Sequence, residues 1–455
     1  MNHFMNRYFI IPAAIVALLA ASCSDRQNTA AIDVNNNVPA NAVMAHRGST
    51  YWAPEETESA WRWAREMGAD YLESDLQCTK DGVILANHDD NLTRTTDIEE
   101  VFGSEVPATR REFYLSLGFD GADADAQLAV DRERFKPFYA ASYYYAELLM
   151  LDAGSWFNTA NPDRARPHYA GTQYVSALQD QIAYAEGKRL LRDGEGRRIL
   201  PWRLKPACEG KTLAEIRAST AEGGKYMEFL DYDFAGAYEA DPADSGHRPG
   251  IYIEFKEPEV NPEDMEQRVY DILSAAGWNI ITSPATEKEF YKDGKIQVGK
   301  TAGKVILQTF SPASLIRANA IFKGRLPMCF LLWPPCPAEI PGGDLDTPEG
   351  FRAILDWAKA NGASINGPSI SGAPNNYAEL NNEWQAALVH EAGMLNHPYS
   401  FDSLEQMQEQ TARSDGFFTN RTDLTLRYLL DNGLRAPEAP STVPDPEATL
   451  SRLGY

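Results

Sequence analysis

Eight short apolar runs punctuate the 455 residues, at 42–46, 70–76, 250–255, 304–309, 328–333, 363–367, 393–397 and 416–419. Their length and their Val, Ile and Phe content read as buried strands. Helical composition fills most of the gaps, as at 59–67, 312–322, 348–360, 381–392 and 403–412. Strands that alternate with helices build a parallel sheet rather than hairpins, and eight such units predict an α/β chain closed into a (β/α)₈ TIM barrel.

One gap does not fit the rhythm. Residues 97–248 separate the second run from the third and hold their own aromatic clusters at 138–145 and 156–157, enough to pack a small core. A segment leaving the C-terminal end of a barrel strand lies on the catalytic face, so this insertion is expected to cap the site. The barrel is then assigned to 41–96 and 249–434, and the Pro-rich stretch after 435 to a peripheral or frayed tail that ends at 455.

The first 23 residues stand apart from the fold. An apolar run at 9–21 is too short to span a bilayer comfortably, and Ala20-Ala21-Ser22 leading to Cys23 resembles the lipobox of bacterial lipoproteins. That resemblance implies a signal peptide and a mature chain anchored through a lipidated Cys23, while secretion with cleavage nearby is the other reading. Either way the protein is exported, with membrane contact confined to the N-terminal lipid anchor and 24–40 acting as a flexible tether. The net charge of −23, from 42 Lys and Arg against 65 Asp and Glu, argues against unspecific binding to nucleic acid or anionic lipid. An anionic substrate must therefore be met by local positive charge. Four further cysteines, Cys78, Cys208, Cys329 and Cys336, lack the spacing of a zinc site. Cys329 and Cys336 are near enough to pair if Pro334-Pro335 turns the chain back.

Candidate chemistry gathers at the ends of the predicted strands. Glu73 and Asp75 are one residue apart on a strand and so face the same way. An acidic pair on a strand is commonly solvated surface, but this one sits between Leu72 and Leu76. Glu254 lies in the apolar Ile251–Phe255 stretch, where an unpaired carboxylate is costly. Three carboxylates without clustered His or Cys suit a hard divalent cation, Ca²⁺ or Mg²⁺. Lys256 points the same way as Glu254, to hold a phosphate or as a structural ion pair. His46 and His88 each end an apolar run and begin a turn-like stretch, which makes them candidate proton carriers rather than core histidines. Arg47 adds a bidentate donor suited to phosphate.

Ala45-His46-Arg47-Gly48, Pro54-Glu55-Glu56-Thr57, Gly68 to Asp75, Thr79-Lys80-Asp81-Gly82, His88-Asp89 and Leu92 to Thr96 follow one another in the order and spacing of the glycerophosphodiester phosphodiesterase family, which this chain resembles. Leu151 to Phe157, Ile253 to Lys256, Leu307 to Phe310 and Asp415 to Asn420 resemble its later blocks. The resemblance implies a (β/α)₈ barrel with an insertion after the second strand. It further implies a divalent metal on Glu73, Asp75 and Glu254, a general acid/base pair of His46 and His88, phosphate contacts from Arg47 and Lys256, and Glu55 lining the site or in direct contact with what binds there. The implied reaction is metal-dependent hydrolysis of a small-molecule glycerophosphodiester to sn-glycerol 3-phosphate and an alcohol. Two positions depart from the family: Glu56 stands where it usually has Asn, which adds negative charge near the metal, and 396–399 represents the seventh-strand motif poorly. A phospholipase C- or D-like enzyme acting on intact lipid would need an exposed apolar rim. A non-catalytic surface lipoprotein would lack at least one of His46, Glu73, Asp75, His88 and Glu254, and all five are present.

Overall fold

In a computed structural model, which describes residues 37–256 and 260–455, each of the eight apolar runs becomes a strand. They are β1 (Ala42–Ala45), β2 (Tyr71–Cys78), β3 (Gly250–Phe255), β4 (Val305–Thr309), β5 (Met328–Leu332), β6 (Ile365–Pro368), β7 (Leu395–Asn396) and β8 (Gly416–Thr419). All pair in parallel in the spatial order β7-β6-β5-β4-β3-β2-β1-β8. The ring closes where the segment after β7 runs beside β8: Phe401 N donates to Phe418 O at 2.7 Å, and Asp415 N to Asn396 O at 2.8 Å. The result is a (β/α)₈ barrel. The expected signal segment, the lipobox Cys23 and the tether up to residue 36 lie outside the described residues. Val38 is already buried against the bottom of the barrel, so the chain joins the fold a few residues before 41. Among the described residues no helix is long and apolar enough to cross a membrane.

Alternation along the strands sorts the side chains into two layers. Met44, Tyr71, Tyr252, Ile306, Cys329, Leu331 and Phe418 fill the barrel, whereas Val43, Leu72, Ile251, Ile253, Leu307 and Phe330 face the helices. Helices α1 (Glu58–Met67), α2 (Leu178–Ala185), α3 (Met265–Ala275), α4 (Pro312–Ile321), α5 (Pro348–Ala360), α6 (Glu383–Glu391), α7 (Leu404–Gln410) and α8 (Thr422–Asp431) form that outer ring, and α9 (Pro446–Leu453) follows. Because Tyr71 starts the inward set, period two carries Glu73 and Asp75 inward above it, and the register sets Asp75 beside Glu254 and Glu254 beside Gln308.

The stretch 97–248 is not wholly an insertion, because α2 within it is the helix that follows β2 and buries Leu178, Ile182 and Tyr184 in the barrel's outer core. The remainder packs two cores of its own, around Tyr143, Tyr145, Leu148 and Leu151 and around Tyr114, Tyr144, Phe229 and Ile216. Nor is the C-terminal stretch frayed. The Arg435 guanidinium bridges both oxygens of buried Asp70, at 2.5 and 3.1 Å, and α9 lies on α1, with Arg62 Nη1 donating to Tyr455 Oη at 2.7 Å. Cys329 and Cys336 are free thiols. Cys329 sits inside the barrel beside Tyr252, and Cys336 lies in the loop beyond β5 with its Sγ turned to Pro337 O at 3.7 Å, so they do not pair.

Removing one partner of the buried Asp70–Arg435 pair leaves an uncompensated charge. Arg435→Met is expected to destabilise the protein by about 3–5 kcal/mol, measured by urea unfolding.

Candidate active site

The strand ends of β1, β2, β3, β4, β5 and β8 open into a cavity of about 760 Å³ lined by His46, Arg47, Glu73, Asp75, His88, Glu254, Lys256 and Gln308 on its inner side. Seven of the eight residues expected from sequence are brought together there. Glu55 is the exception: it lies buried behind Arg47, whose Nη1 donates to its Oε1 at 3.2 Å, and is clamped by Arg94 through bonds of 2.8 and 2.7 Å. These two cations hold the Glu55 carboxyl down at about 2 against the opposing effect of burial. It backs Arg47 and is not among the residues that line the cavity.

The loop after β1 takes a left-handed course, with φ of 51°, 83° and 74° at Arg47, Gly48 and Ser49. A Cβ on Gly48 would come within 2.6 Å of Ala60 Cβ, so only glycine fits. That turn delivers Arg47 N to Glu73 Oε2 at 2.7 Å and Arg47 Nε to within 3.2 Å of Asp75 Oδ2 as an ion pair. Gln308 Nε2 donates to Glu73 Oε1 at 2.9 Å, and Lys256 Nζ stands 3.3 Å from Glu254 Oε1.

Oxygens of Glu73, Asp75 and Glu254 all lie within 4.8 Å of one another, and the three residues are buried. Burial, with Asp75 reinforcing it, holds Glu73 well above the usual carboxylate range. Burial pushes Glu254 up to about 8 while Lys256 opposes it and Asp75 adds to it. Asp75 falls below its ordinary range despite burial, because His88, Lys256 and Arg47 face it. Its Oδ2 accepts no hydrogen bond among the described residues. Crowded hard oxygen donors with an unfilled acceptor are what a divalent cation satisfies, so these residues fit the expected metal. Glu56, expected to add negative charge near the metal, accepts from Asp75 N at 2.7 Å through Oε1, and burial followed by Asp75 raises its carboxyl well above the usual range.

The two histidines have different partners. His46 Nδ1 is 2.8 Å from Asn420 Oδ1, and Asn420 is itself oriented by donating to Asp402 Oδ1 at 2.8 Å. Burial first and Arg47 second lower His46 to about 3, so it is a neutral imidazole with Nε2 as its acceptor. His88 Nδ1 is 2.6 Å from Asp89 Oδ1, and its Nε2 is 3.3 Å from Lys256 Nζ. Lys256 has only protons to offer, so in this arrangement His88 Nδ1–H donates to Asp89. Arg94 ties Asp89 to Glu55 and thus joins the His88 side to the Arg47 side. Gln308 and Asn420 had signals that the sequence reading did not use: a polar side chain at an inward position of an apolar strand, and an amide directly after β8.

The insertion was expected to cap the site. Among the described residues none from 97–248 lines the cavity, whose rim comes from 310–313, 333–339, Tyr377 and Tyr399. β2 overruns the barrel and pairs antiparallel with Ile84–Ala86, which in turn pairs with Ser176–Ala177; the insertion is thereby led outward, against α1 and the 79–96 stretch.

Comparison with known proteins agrees with this architecture. Residues 46–191 match the glycerophosphoryl diester phosphodiesterase family. A glycerophosphodiester phosphodiesterase of Bacillus subtilis is 24% identical over 383 residues, covering 84% of each chain. One from Caldanaerobacter subterraneus is 47% identical over 57 residues, 12% of this chain and 24% of its own. A solved Silicibacter pomeroyi structure assigned to the same class superposes with a TM-score of 0.51 at 16% identity, covering 88% of this chain and 96% of that one, which bears on the fold alone.

If the carboxylate trio holds a cation, Ca²⁺ or Mg²⁺ at about 100 times its dissociation constant stabilises the fold by about 2.7 kcal/mol. A rise in Tm is therefore expected on adding the metal, and Glu73→Gln is expected to abolish it.

Proposed function

From the match of residues 46–191 to the glycerophosphoryl diester phosphodiesterase family, we propose that the chain is a member of that family and hydrolyses glycerophosphodiesters to sn-glycerol 3-phosphate and an alcohol by His/His acid–base catalysis. The observation that carries the reading is the convergence of two differently supported imidazoles, two cations and three carboxylates on one cavity.

Arg47 and Lys256 meet the single negative charge of the diester, and neither needs to move far to exchange a carboxylate for a phosphoryl oxygen. Glu73, Asp75 and Glu254 would hold a divalent cation, Ca²⁺ or Mg²⁺, whose chemistry is to neutralise charge that grows on the phosphoryl oxygens. His46, neutral and oriented by Asn420, takes the proton from the attacking oxygen on Nε2. The nucleophile is water or the neighbouring glycerol hydroxyl. The anionic diester raises the proton affinity of His46 as it enters. His88, held through Nδ1 by Asp89, is placed to give a proton from Nε2 to the departing alkoxide as the phosphorus–oxygen bond breaks. Asp89, Arg94 and Glu55 position these groups without touching the reacting atoms.

Export is part of the same proposal, with Cys23 as the lipidated residue that anchors the chain in the cell envelope. Full-length protein made in a bacterium is expected to take up a labelled fatty acid, and Cys23→Ser to lose the label.

The soluble chain lacking 1–23, supplied with Ca²⁺ or Mg²⁺, is expected to release sn-glycerol 3-phosphate from glycerophosphodiesters. His46→Ala and His88→Ala should each lower kcat by about 10²–10⁴. Turnover that survives either change would refute the assignment. Release of phosphorylated head group from phosphatidylcholine vesicles instead would favour an enzyme of intact lipid.

A further inference from the structure

The outer half of the cavity is chemically unlike the inner half. Its basic lining residues, His46, Arg47, His88 and Lys256, all come from the ends of β1, β2 and β3 or from the turn that returns to β2. Across from them stands a wall of rings supplied by the loops after β4 to β7. Phe310 meets Tyr399 edge to face at 6.0 Å and 88°, Tyr399 lies 6.0 Å from Tyr377, and Tyr377 meets Trp333 edge to face at 5.2 Å and 79°. Successive planes turn through large angles, so the four rings make a concave corner rather than a stack. It begins at the phosphate end, where Lys256 Nζ is 5.9 Å from the Phe310 ring centre, and ends in solvent at Trp333, which is 44% exposed. Pro334, Pro335 and Pro337 continue the wall, and Glu339 is the charged residue that lines it.

We infer that this corner is the subsite for the leaving alcohol and that it selects an alcohol bearing a quaternary, methylated ammonium group. The inference rests on the glycerophosphodiester reading of the site and names its substrate class. Aromatic faces attract a cation whose charge is spread over methyl groups and which gives up little hydration on entering. Glu339 supplies the matching negative charge. A primary ammonium would instead need hydrogen-bond acceptors, and a polyhydroxyl head group would need several donors and acceptors. Two of the wall's polar groups are engaged within the fold: Tyr399 Oη donates to Leu332 O at 2.7 Å, and Ser311 Oγ caps α4 by accepting from Ser314 N at 3.3 Å.

The test compares kcat/KM for the choline, ethanolamine and glycerol esters of sn-glycerol 3-phosphate in the wild type, Trp333→Phe and Trp333→Leu, with metal present. The choline ester is expected to exceed both others by about 2- to 5-fold, the range that an exposed cation–π contact supplies. Trp333→Phe should keep most of that preference because it keeps a ring face, and Trp333→Leu should bring the choline-to-ethanolamine ratio near one. A second arm needs no turnover: tetramethylammonium chloride, titrated against sodium chloride at constant ionic strength, should quench tryptophan fluorescence saturably in the wild type and not in Trp333→Leu. Equal rates on the three esters, or a preference that Trp333→Leu leaves intact, would overturn the subsite while leaving the reaction class standing. Hydrolysis of none of the esters would overturn the reaction class, and the fluorescence arm would then decide the cation site alone. A wild type that tetramethylammonium does not quench would count against it.

Discussion

Three carboxylates within 4.8 Å of one another, buried at the mouth of a barrel filled with Met, Tyr, Ile, Leu and Phe, are the arrangement around which the rest of this protein is organised. Burying one such group without a partner is costly, and burying three together adds their mutual repulsion. The surroundings answer that repulsion from several directions. Arg47 contributes its backbone N–H to Glu73 and its guanidinium to Asp75, Lys256 faces Glu254, and Gln308 donates to Glu73. Glu56 accepts from Asp75 N through Oε1 and is itself pushed up by burial and by Asp75. Behind these, Arg94, Glu55 and Asp89 lock the cations and His88 into one frame.

The barrel makes this concentration of charge possible because its elements are rigid and its register is exact to one residue. Inward alternation on β2 and the β2–β3 pairing set Asp75 against Glu254, and a slip of one residue on either strand would turn the acids into the outer apolar layer. The left-handed turn at 47–49 then brings Arg47 over the same layer, and closure of the ring through 398–401 places Asn420 beside His46. The C-terminal stretch braces the other end through Arg435 and α9, far from the chemistry.

Much of this was legible in the residues alone. The eight strands stood out because each is a short apolar run bounded by turn residues, and Gly250–Phe255 and Gly416–Thr419 match to the residue. Glu73, Asp75 and Glu254 followed from period two and from apolar neighbours, and His46 and His88 from their places directly after apolar runs. What escaped depends on contacts distant in sequence. Arg435 finds Asp70 across most of the chain, and nothing local marks Pro446–Leu453 as a helix that docks on α1. α2 is one short helix among several in 97–248, so composition does not distinguish it as the barrel's own. The insertion was expected over the site because its chain leaves β2 at the catalytic face, but the antiparallel return at Ile84–Ala86 carries it aside. The aromatic wall is built from four separate loops, whose meeting no spacing rule announces.

A crystal structure of the protein soaked with Ca²⁺ and sn-glycerol 3-phosphate, read with the anomalous signal of the ion, addresses the central claim most directly. The expected result is one ion bonded at about 2.3–2.6 Å to oxygens of Glu73, Asp75 and Glu254. The phosphate should lie against that ion, Arg47 and Lys256, between His46 and His88. An ion bound elsewhere with the trio left empty, or a phosphate seated outside this cavity, would contradict the account.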